Sequence, residues 1–522
     1  MIRRYLLLIL LIAVTLWGCQ KTTTTYGGGT PGTTTDEAGL TAVKIEAKNN
    51  AGKITADVAC TIAGDSITAI IPDRLTLRKL ALTFTPKTAG TVVKVGDTTQ
   101  VSGTTVTDFS KIVTYALTSP KGVTKTYKVI LREFTGLPIL YLTTSTGADV
   151  TSKDVYINGN VVVDANNGYQ QDVTNIPLQV KGRGNSTWTL YPKKPYKLKF
   201  NSKAAMLGMP AAKNWALLAN YNDKTLMRNK IAFELGRRIG ADYTPDSRFV
   251  EVVLNGQYWG NYMLTTVVEV NDNRVKINAL KATDTSPEAI TGGYIVELDY
   301  KLDADYFWRS TARNLPFTIK EPETITTDQL AYIKGYMQAT EDALYASNWK
   351  DPDNGYAKYI DADSFMRWYA VNEIVKNQDS WDFSSIYYYK DRGGKLGMGP
   401  IWDFDISMGN CDYSVSKDPQ NWYTRNGSWM IRLAQDPTWN FKWRAKWAAM
   451  KSKEVQQIFT DIDKNAAYLK LSAAENFKRW PILDKYVYPN AVYLGTYDKE
   501  VAYLKDFMTQ RVAWIDAHIS SY

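Results

Sequence analysis

Gly399-Pro400-Ile401-Trp402-Asp403-Phe404-Asp405-Ile406-Ser407-Met408-Gly409-Asn410 places two carboxylates two residues apart inside an otherwise apolar run. On an extended segment residues i and i+2 leave the same face, so the spacing predicts Asp403 and Asp405 side by side with Phe404 turned away. Acids in such a setting are costly unless they are paired or bind a cation. Gly409 and Asn410 then mark a turn of the backbone.

Upstream of this stretch, Ile386-Tyr387-Tyr388-Tyr389-Lys390 reads as a strand, Asp391-Arg392-Gly393-Gly394 as a turn and residues 395–402 as the returning strand. A hairpin centred on that turn sets Asp382 opposite Asp403, with Asp379 near Asp405 and Ile406. Two acidic ends, Asn377-Gln378-Asp379-Ser380-Trp381-Asp382 and Asp403-Phe404-Asp405, thereby meet at one mouth. Three or four carboxylates together form a hard-cation site; the plainer reading is that they cap turns or pair with Lys and Arg. Protein kinases share the layout, with an Asp and an Asn before a hairpin and a metal-binding Asp after it, although the chain has neither His-Arg-Asp nor Asp-Phe-Gly.

The chain opens with Arg3 and Arg4 and an apolar run over residues 6–14, the pattern of a signal peptide too short to span a bilayer. It ends in Leu16-Trp17-Gly18-Cys19, which resembles a bacterial lipobox, and that resemblance implies that Cys19 is the lipidated N-terminus. The expected organisation is a signal peptide (1–19), a Thr- and Gly-rich tether (20–38), a β-sandwich (39–135) and a larger α+β domain (136–522). No later stretch is long and apolar enough to cross a membrane. The expected location is therefore the cell envelope, held by a lipid anchor to the outer membrane on its periplasmic or surface face. Cys60 and Cys411 lie far apart, which argues against a disulfide framework. The net charge of +9 is spread out with no dense basic run, so nucleic acid is not an expected partner, whereas a phosphate-bearing ligand is compatible. His518 is the only histidine, which excludes Ser-His-Asp and Cys-His catalysis and His-ligated zinc. Carboxylates, lysines and a hard cation remain.

Within residues 39–135, alternations such as Val43, Ile45 and Ala47 against Lys44, Glu46 and Lys48 recur between turn residues, as in a sandwich. The segment looks like the immunoglobulin-like modules that follow lipidated tails in Bacteroidetes-type surface proteins, and the expected role is a spacer or adhesion module. Beyond residue 136, Gly182-Arg183-Gly184-Asn185-Ser186-Thr187-Trp188 precedes Lys193-Lys194-Pro195-Tyr196-Lys197-Leu198-Lys199-Phe200. A glycine-rich turn beside lysines suits phosphate binding. Asn222-Asp223 are expected to cap a helix whose core stripe is Met227, Ile231, Leu235 and Ile239, ending at Gly240, with Arg228 beside its first turn. Asn255-Gly256 is a strong hairpin turn. Glu269 and Glu297 are candidates to orient a lysine. The C-terminal part is helical and Trp-rich, a supporting lobe.

Taken as an ordered set, Gly182-Arg183-Gly184-Asn185-Ser186-Thr187-Trp188, Lys194-Pro195-Tyr196-Lys197-Leu198-Lys199, Leu207-Gly208-Met209-Pro210, Asn220-Tyr221-Asn222-Asp223-Lys224, Met227-Arg228-Asn229, Gly260-Asn261-Tyr262-Met263-Leu264, Asn377-Gln378-Asp379 and Trp402-Asp403-Phe404-Asp405 resemble the CotH (spore coat protein H) kinase family, from about residue 137 to beyond 410. The resemblance implies an atypical kinase with a protein-kinase-like two-lobe core, transferring phosphate from ATP to Ser of a protein with Mg²⁺ or Mn²⁺. It implies that Asp379 acts at the nucleophile, that Asp403 and Asp405 bind metal, and that Trp402 lies against adenine; the hairpin register adds Asp382 as a third candidate metal ligand. The phosphate-contacting lysine falls to Lys194 or Lys199, with Arg183, Lys197, Arg228 and Glu269 as further binding candidates. Two other readings fit the residues: a non-catalytic surface module that binds glycan or protein, and a sugar hydrolase built on two carboxylates across a groove.

Overall fold

The computed structural model describes residues 36–75, 78–302 and 304–522. Cys19, the signal peptide and the tether up to residue 35 lie outside the described residues. Among the described residues no helix is long and apolar enough to cross a membrane.

The N-terminal part is all β. A four-stranded sheet, centred on Leu40–Ile45 and Lys79–Pro86, shares one core with a six-stranded sheet in which Ser66–Ile71 runs parallel to Thr124–Glu133. Strict alternation produces this core: along Val113–Thr118 every second residue is buried. The junction to the rest of the chain is polar and closed. Asn166, fully buried at a left-handed turn, donates from Nδ2 to the carbonyls of Glu133 (2.9 Å) and Leu137 (2.8 Å) and accepts from the Glu133 amide (2.9 Å). Arg78 reaches across to Asp164 and Glu133, and Thr135 donates to the buried carboxylate of Glu251.

Seven strands between Ile139 and Thr266 then close into a barrel. Closure comes from a parallel pairing of Ile139–Thr144 with Ser247–Leu254. The Asn255-Gly256 hairpin forms as expected, with φ of 48° and 81°, the positive pair that a tight hairpin turn requires. Trp215, Tyr196, Tyr262 and the aliphatic strand residues fill the interior.

Beyond the barrel, a five-stranded sheet in the order Phe307–Arg309, Pro316–Glu321, Tyr294–Leu298, Ile386–Lys390 and Leu396–Met398 is backed by the C-terminal helices. The helix Arg228–Ile239 buries Ile231 and Leu235 and stops at Gly240 in the left-handed region. Its cap differs in detail from expectation. Met227 occupies the cap position, and Asp223 reaches forward so that its Oδ2 accepts from the Arg228 amide at 2.8 Å. In the last helix, Tyr497–His518, Leu504, Phe507, Met508 and Ile515 are buried. The chain is thus α+β, with a β-rich N-terminal region. A cleft of about 500 Å³ opens between the barrel and the five-stranded sheet.

Candidate functional site

One wall of this cleft comes from the barrel. Arg183 follows the strand Asn175–Gly182, in a turn that only glycine permits at its first position. A Cβ at Gly182 would lie 2.3 Å from the Trp188 ring, and Gly184 has φ of +85°. Along the next strand Tyr196, Leu198 and Phe200 point into the barrel, so Lys197 points out into the cleft. Burial, then the neighbouring Lys181, hold the Lys197 ammonium below its usual range.

The opposite wall carries the acids. Asp379 sits in a single turn of 3₁₀ helix ahead of the hairpin, and Asp403 and Asp405 follow it. The hairpin pairs Tyr388 with Met398 and Lys390 with Leu396, one residue out of the expected register, and its second strand ends at Met398 rather than running on to residue 402. Asp403 and Asp405 still meet, but through a different local geometry. Asp403 has φ of +62°, so a left-handed kink, not strand alternation, turns both carboxyls the same way, and they hydrogen-bond to each other. The first turn of the helix Arg228–Ile239 holds this loop in place. Arg228 Nε donates to the Ser407 carbonyl (3.1 Å), and Asn229 Oδ1 accepts from the Phe404 amide (2.7 Å).

Burial raises the pKa of all three acids. In Asp379 burial dominates, reinforced by the charges of Asp403, Asp405 and Asp299. In Asp403 burial outweighs the nearby Arg183 guanidinium. In Asp405 burial and the Asp403 charge push it to about 8. Asp379 Oδ1 and Asn222 Oδ1 are buried without a hydrogen-bond partner. Among the described residues no group of three or more His, Cys, Asp or Glu forms a metal cage. Mg²⁺ does not need one, since it is commonly held by one or two carboxylates with water and substrate phosphate oxygens. A pair of apposed buried carboxyls, with unsatisfied acceptor oxygens beside them, fits such an ion.

Several expected site residues stand elsewhere. Asp382, at φ +54°, turns out of the cleft, and its carboxylate accepts from the Ser428 amide at the start of the helix Ser428–Leu433. Arg228 is fully buried on Asp223 and Ser407 and does not reach the cleft. Lys194 donates to the Trp188 carbonyl, and Lys199 lies over the Tyr156 ring; neither lines the cleft. Glu269 accepts from Asn214 Nδ2 at 2.7 Å, outside the cleft, though its charge favours the protonated form of Lys197. Trp402 does line the cleft, with its ring covered by the Arg183 guanidinium at 5.5 Å and by Phe233 at 6.1 Å.

The lysine at the centre is one the sequence hid. Lys320 pairs with Glu297 at 2.5 Å, and both line the cleft. Ile295 pairs with Glu321 while Val296 pairs with Ile319, so Lys320 is the extra residue of a β-bulge. Bulges re-aim side chains in this way. Tyr387, opposite Glu297 in register, hydrogen-bonds to the same carboxylate. Asp299, buried at the end of the same strand, adds a further acid.

The profile of the family described as "CotH kinase protein" matches residues 180–515, which contain every cleft residue discussed above. "Inner spore coat protein H" of Bacillus subtilis (strain 168) is 21% identical over 344 residues, covering 63% of this chain and 84% of that protein. A crystal structure described as a "putative glycoside hydrolase" from Bacteroides thetaiotaomicron VPI-5482 shows 15% identity, covers 58% of this chain and 88% of its own, and has a TM-score of 0.17. That overlap is too low to carry a fold assignment.

Proposed function

The chain belongs to the CotH kinase protein family, and from that premise we propose that it is a divalent-metal-dependent phosphotransferase, moving a phosphoryl group from a nucleoside triphosphate such as ATP to an alcohol hydroxyl. The observation that carries the reading is the meeting of cations and acids in one cleft: Arg183 and Lys197 on the barrel wall face Asp379, Asp403 and Asp405, and Lys320 reaches in from the five-stranded sheet. Phosphoryl transfer asks for positioning and charge neutralisation more than for covalent chemistry.

In this reading Lys320, oriented by Glu297, and Arg183 neutralise the phosphate chain. Asp403 and Asp405 would hold Mg²⁺ or Mn²⁺, which when bound supplies further neutralisation of the phosphate oxygens. Asp379 orients the acceptor hydroxyl and takes its proton. A protein serine, the acceptor that the resemblance implies, and a sugar hydroxyl both meet this description. The barrel and the sheet-and-helix half would then act as the two lobes of a kinase-like core spanning residues 136–522, with residues 39–135 a separate immunoglobulin-like module. We also propose lipidation at Cys19 and anchorage in the cell envelope, on the pattern of Leu16-Trp17-Gly18-Cys19.

A thermal-shift titration of ATP with and without Mg²⁺ or Mn²⁺ tests the phosphotransfer reading. Ligand at 100 times its dissociation constant stabilises the fold by about 2.7 kcal/mol. Absence of any metal-dependent shift at millimolar ATP would remove the reading.

A further inference from the structure

Four aromatic side chains stand exposed on the acidic side of the cleft: Tyr300 (44%), Phe383 (38%), Tyr413 (51%) and Tyr488 (48%). They form two stacked pairs. Tyr300 and Phe383 lie 4.2 Å apart with planes 21° from parallel, and Tyr413 and Tyr488 lie 5.8 Å apart at 13°. Each pair is pinned by main chain. The Tyr300 amide donates to the Phe383 carbonyl (2.9 Å), and the Asp412 amide donates to the Pro489 carbonyl (2.9 Å), which holds the two loops of the second pair together. The pairs adjoin each other and the candidate nucleophile-side acid. After burial, the charges around Tyr488 that raise its phenol pKa include Cys411, Asp412, Tyr300 and Asp379. The Tyr413 phenol is likewise raised, first by burial, then by Cys411 and Asp379. The aromatic pairs line the same cleft as Asp379, whose carbonyl accepts from the Phe383 amide at 3.3 Å.

Exposed rings of this size are costly to leave in water, and four of them at one mouth form a platform rather than scattered surface residues. Parallel aromatic faces present a flat, apolar, adaptable surface, which matches the C–H face of a pyranose ring and leaves the sugar hydroxyls free to point at a carboxylate. A peptide held in extended form would instead seek a strand edge, because main-chain hydrogen bonds give such complexes their affinity. The edge strands of the adjoining sheet are Phe307–Arg309 and Leu396–Met398, and neither contributes a residue to the cleft.

We propose that the phosphoryl acceptor is a carbohydrate hydroxyl, seated on the Tyr300–Phe383 and Tyr413–Tyr488 platforms with its reacting oxygen at Asp379. This inference rests on the phosphotransfer reading. In the step, the sugar oxygen forms a bond to the terminal phosphorus of the nucleoside triphosphate. The bond from that phosphorus to the bridging oxygen breaks, the nucleoside diphosphate leaves with the electron pair, and the hydroxyl proton passes to Asp379.

The test uses the full chain with Mg²⁺ and γ-labelled ATP, offered gluco-, manno- and N-acetylglucosamine hexasaccharides in one arm and seryl peptides in the other. The expected result is label on at least one oligosaccharide, and a fall of tenfold or more in that transfer in Tyr413→Ala/Tyr488→Ala and in Tyr300→Ala. The affinity for Mg-ATP should move less than twofold and the melting temperature should hold. Label on seryl peptides alone, or undiminished sugar transfer in the aromatic variants, overturns the proposal. Oligosaccharide binding is measured separately by affinity electrophoresis. If ATP fails to bind with metal, the phosphotransfer reading falls. The platform then stands on sugar binding that the aromatic substitutions abolish, and it falls if none of the oligosaccharides binds.

Discussion

Lys320 forms its ion pair with Glu297 across two antiparallel strands, from a β-bulge in the pairing of those strands. Glu297 is buried, and burial raises its pKa against the opposing pull of Lys320. Removing the lysine leaves that carboxyl without its cation. Lys320→Met should therefore cost about 2 kcal/mol of stability and weaken Mg-ATP binding at least tenfold. Lys320→Arg should restore the stability but only part of the affinity, because the two cations differ in shape. Urea denaturation and calorimetric titration read the two effects separately. Unchanged affinity in Lys320→Met would assign the pair to the fold alone.

Asp403→Asn and Asp379→Asn should behave differently. The first should abolish the metal-dependent part of nucleotide binding while leaving the metal-free fold as stable or more so, since it relieves repulsion between buried acids. The second should leave metal-nucleotide affinity nearly intact and lower turnover by about 10²–10⁴. If both variants lose more than about 2 kcal/mol of stability and neither changes ligand binding, these acids are ordinary structural partners.

The metal-free protein should lose stability as pH rises from about 4 to about 8. Asp405 titrates near its ordinary value when unfolded and at about 8 when folded. In that window the folded state keeps a proton that the unfolded state has released, so raising the pH favours unfolding, by at most about 1.4 kcal/mol per pH unit for one proton. Urea midpoints at pH 5 and pH 8 in chelator measure this. Asp405→Asn should flatten the difference, and saturating Mg²⁺ should stabilise the wild type more at pH 8 than at pH 5.

A chain beginning at Gly136 should fold cooperatively and bind Mg-ATP, but with a lowered melting temperature. It lacks Thr135, whose hydroxyl donates to buried Glu251, and Arg78, the partner of Asp164. In the intact chain, Asn166→Ala should cost about 2–4 kcal/mol by stranding the amide and carbonyl of Glu133 and the carbonyl of Leu137. Loss of cooperative unfolding in the shortened chain would show that the two parts share one folding unit.

Local patterns carried much of this structure. The Asn255-Gly256 turn, the Asp391–Gly394 turn and the apolar stripes of Arg228–Ile239 and Tyr497–His518 follow from turn chemistry and helical period. The Asp403–Asp405 pair was legible as a pair, but its geometry was not, because nothing in the residues announces a left-handed Asp403. The same holds for Asp382, whose positive φ sends it to Ser428. Lys320 stayed hidden for a different reason: a bulge is an irregularity of pairing, and 23 residues of sequence separate it from Glu297. Barrel closure through Ile139–Thr144 and Ser247–Leu254 is a long-range parallel contact with no local signature.

Asn166 has a mechanical consequence as well. It clamps residues 133 and 137 on either side of the junction, and Arg78 bolts the same corner from the other sheet. The N-terminal sandwich is thus a strut rather than a leash. A load applied at residue 36 enters the barrel through this corner, so the direction in which the cleft faces is set by the orientation of the sandwich. Whatever grips the sandwich also aims the cleft.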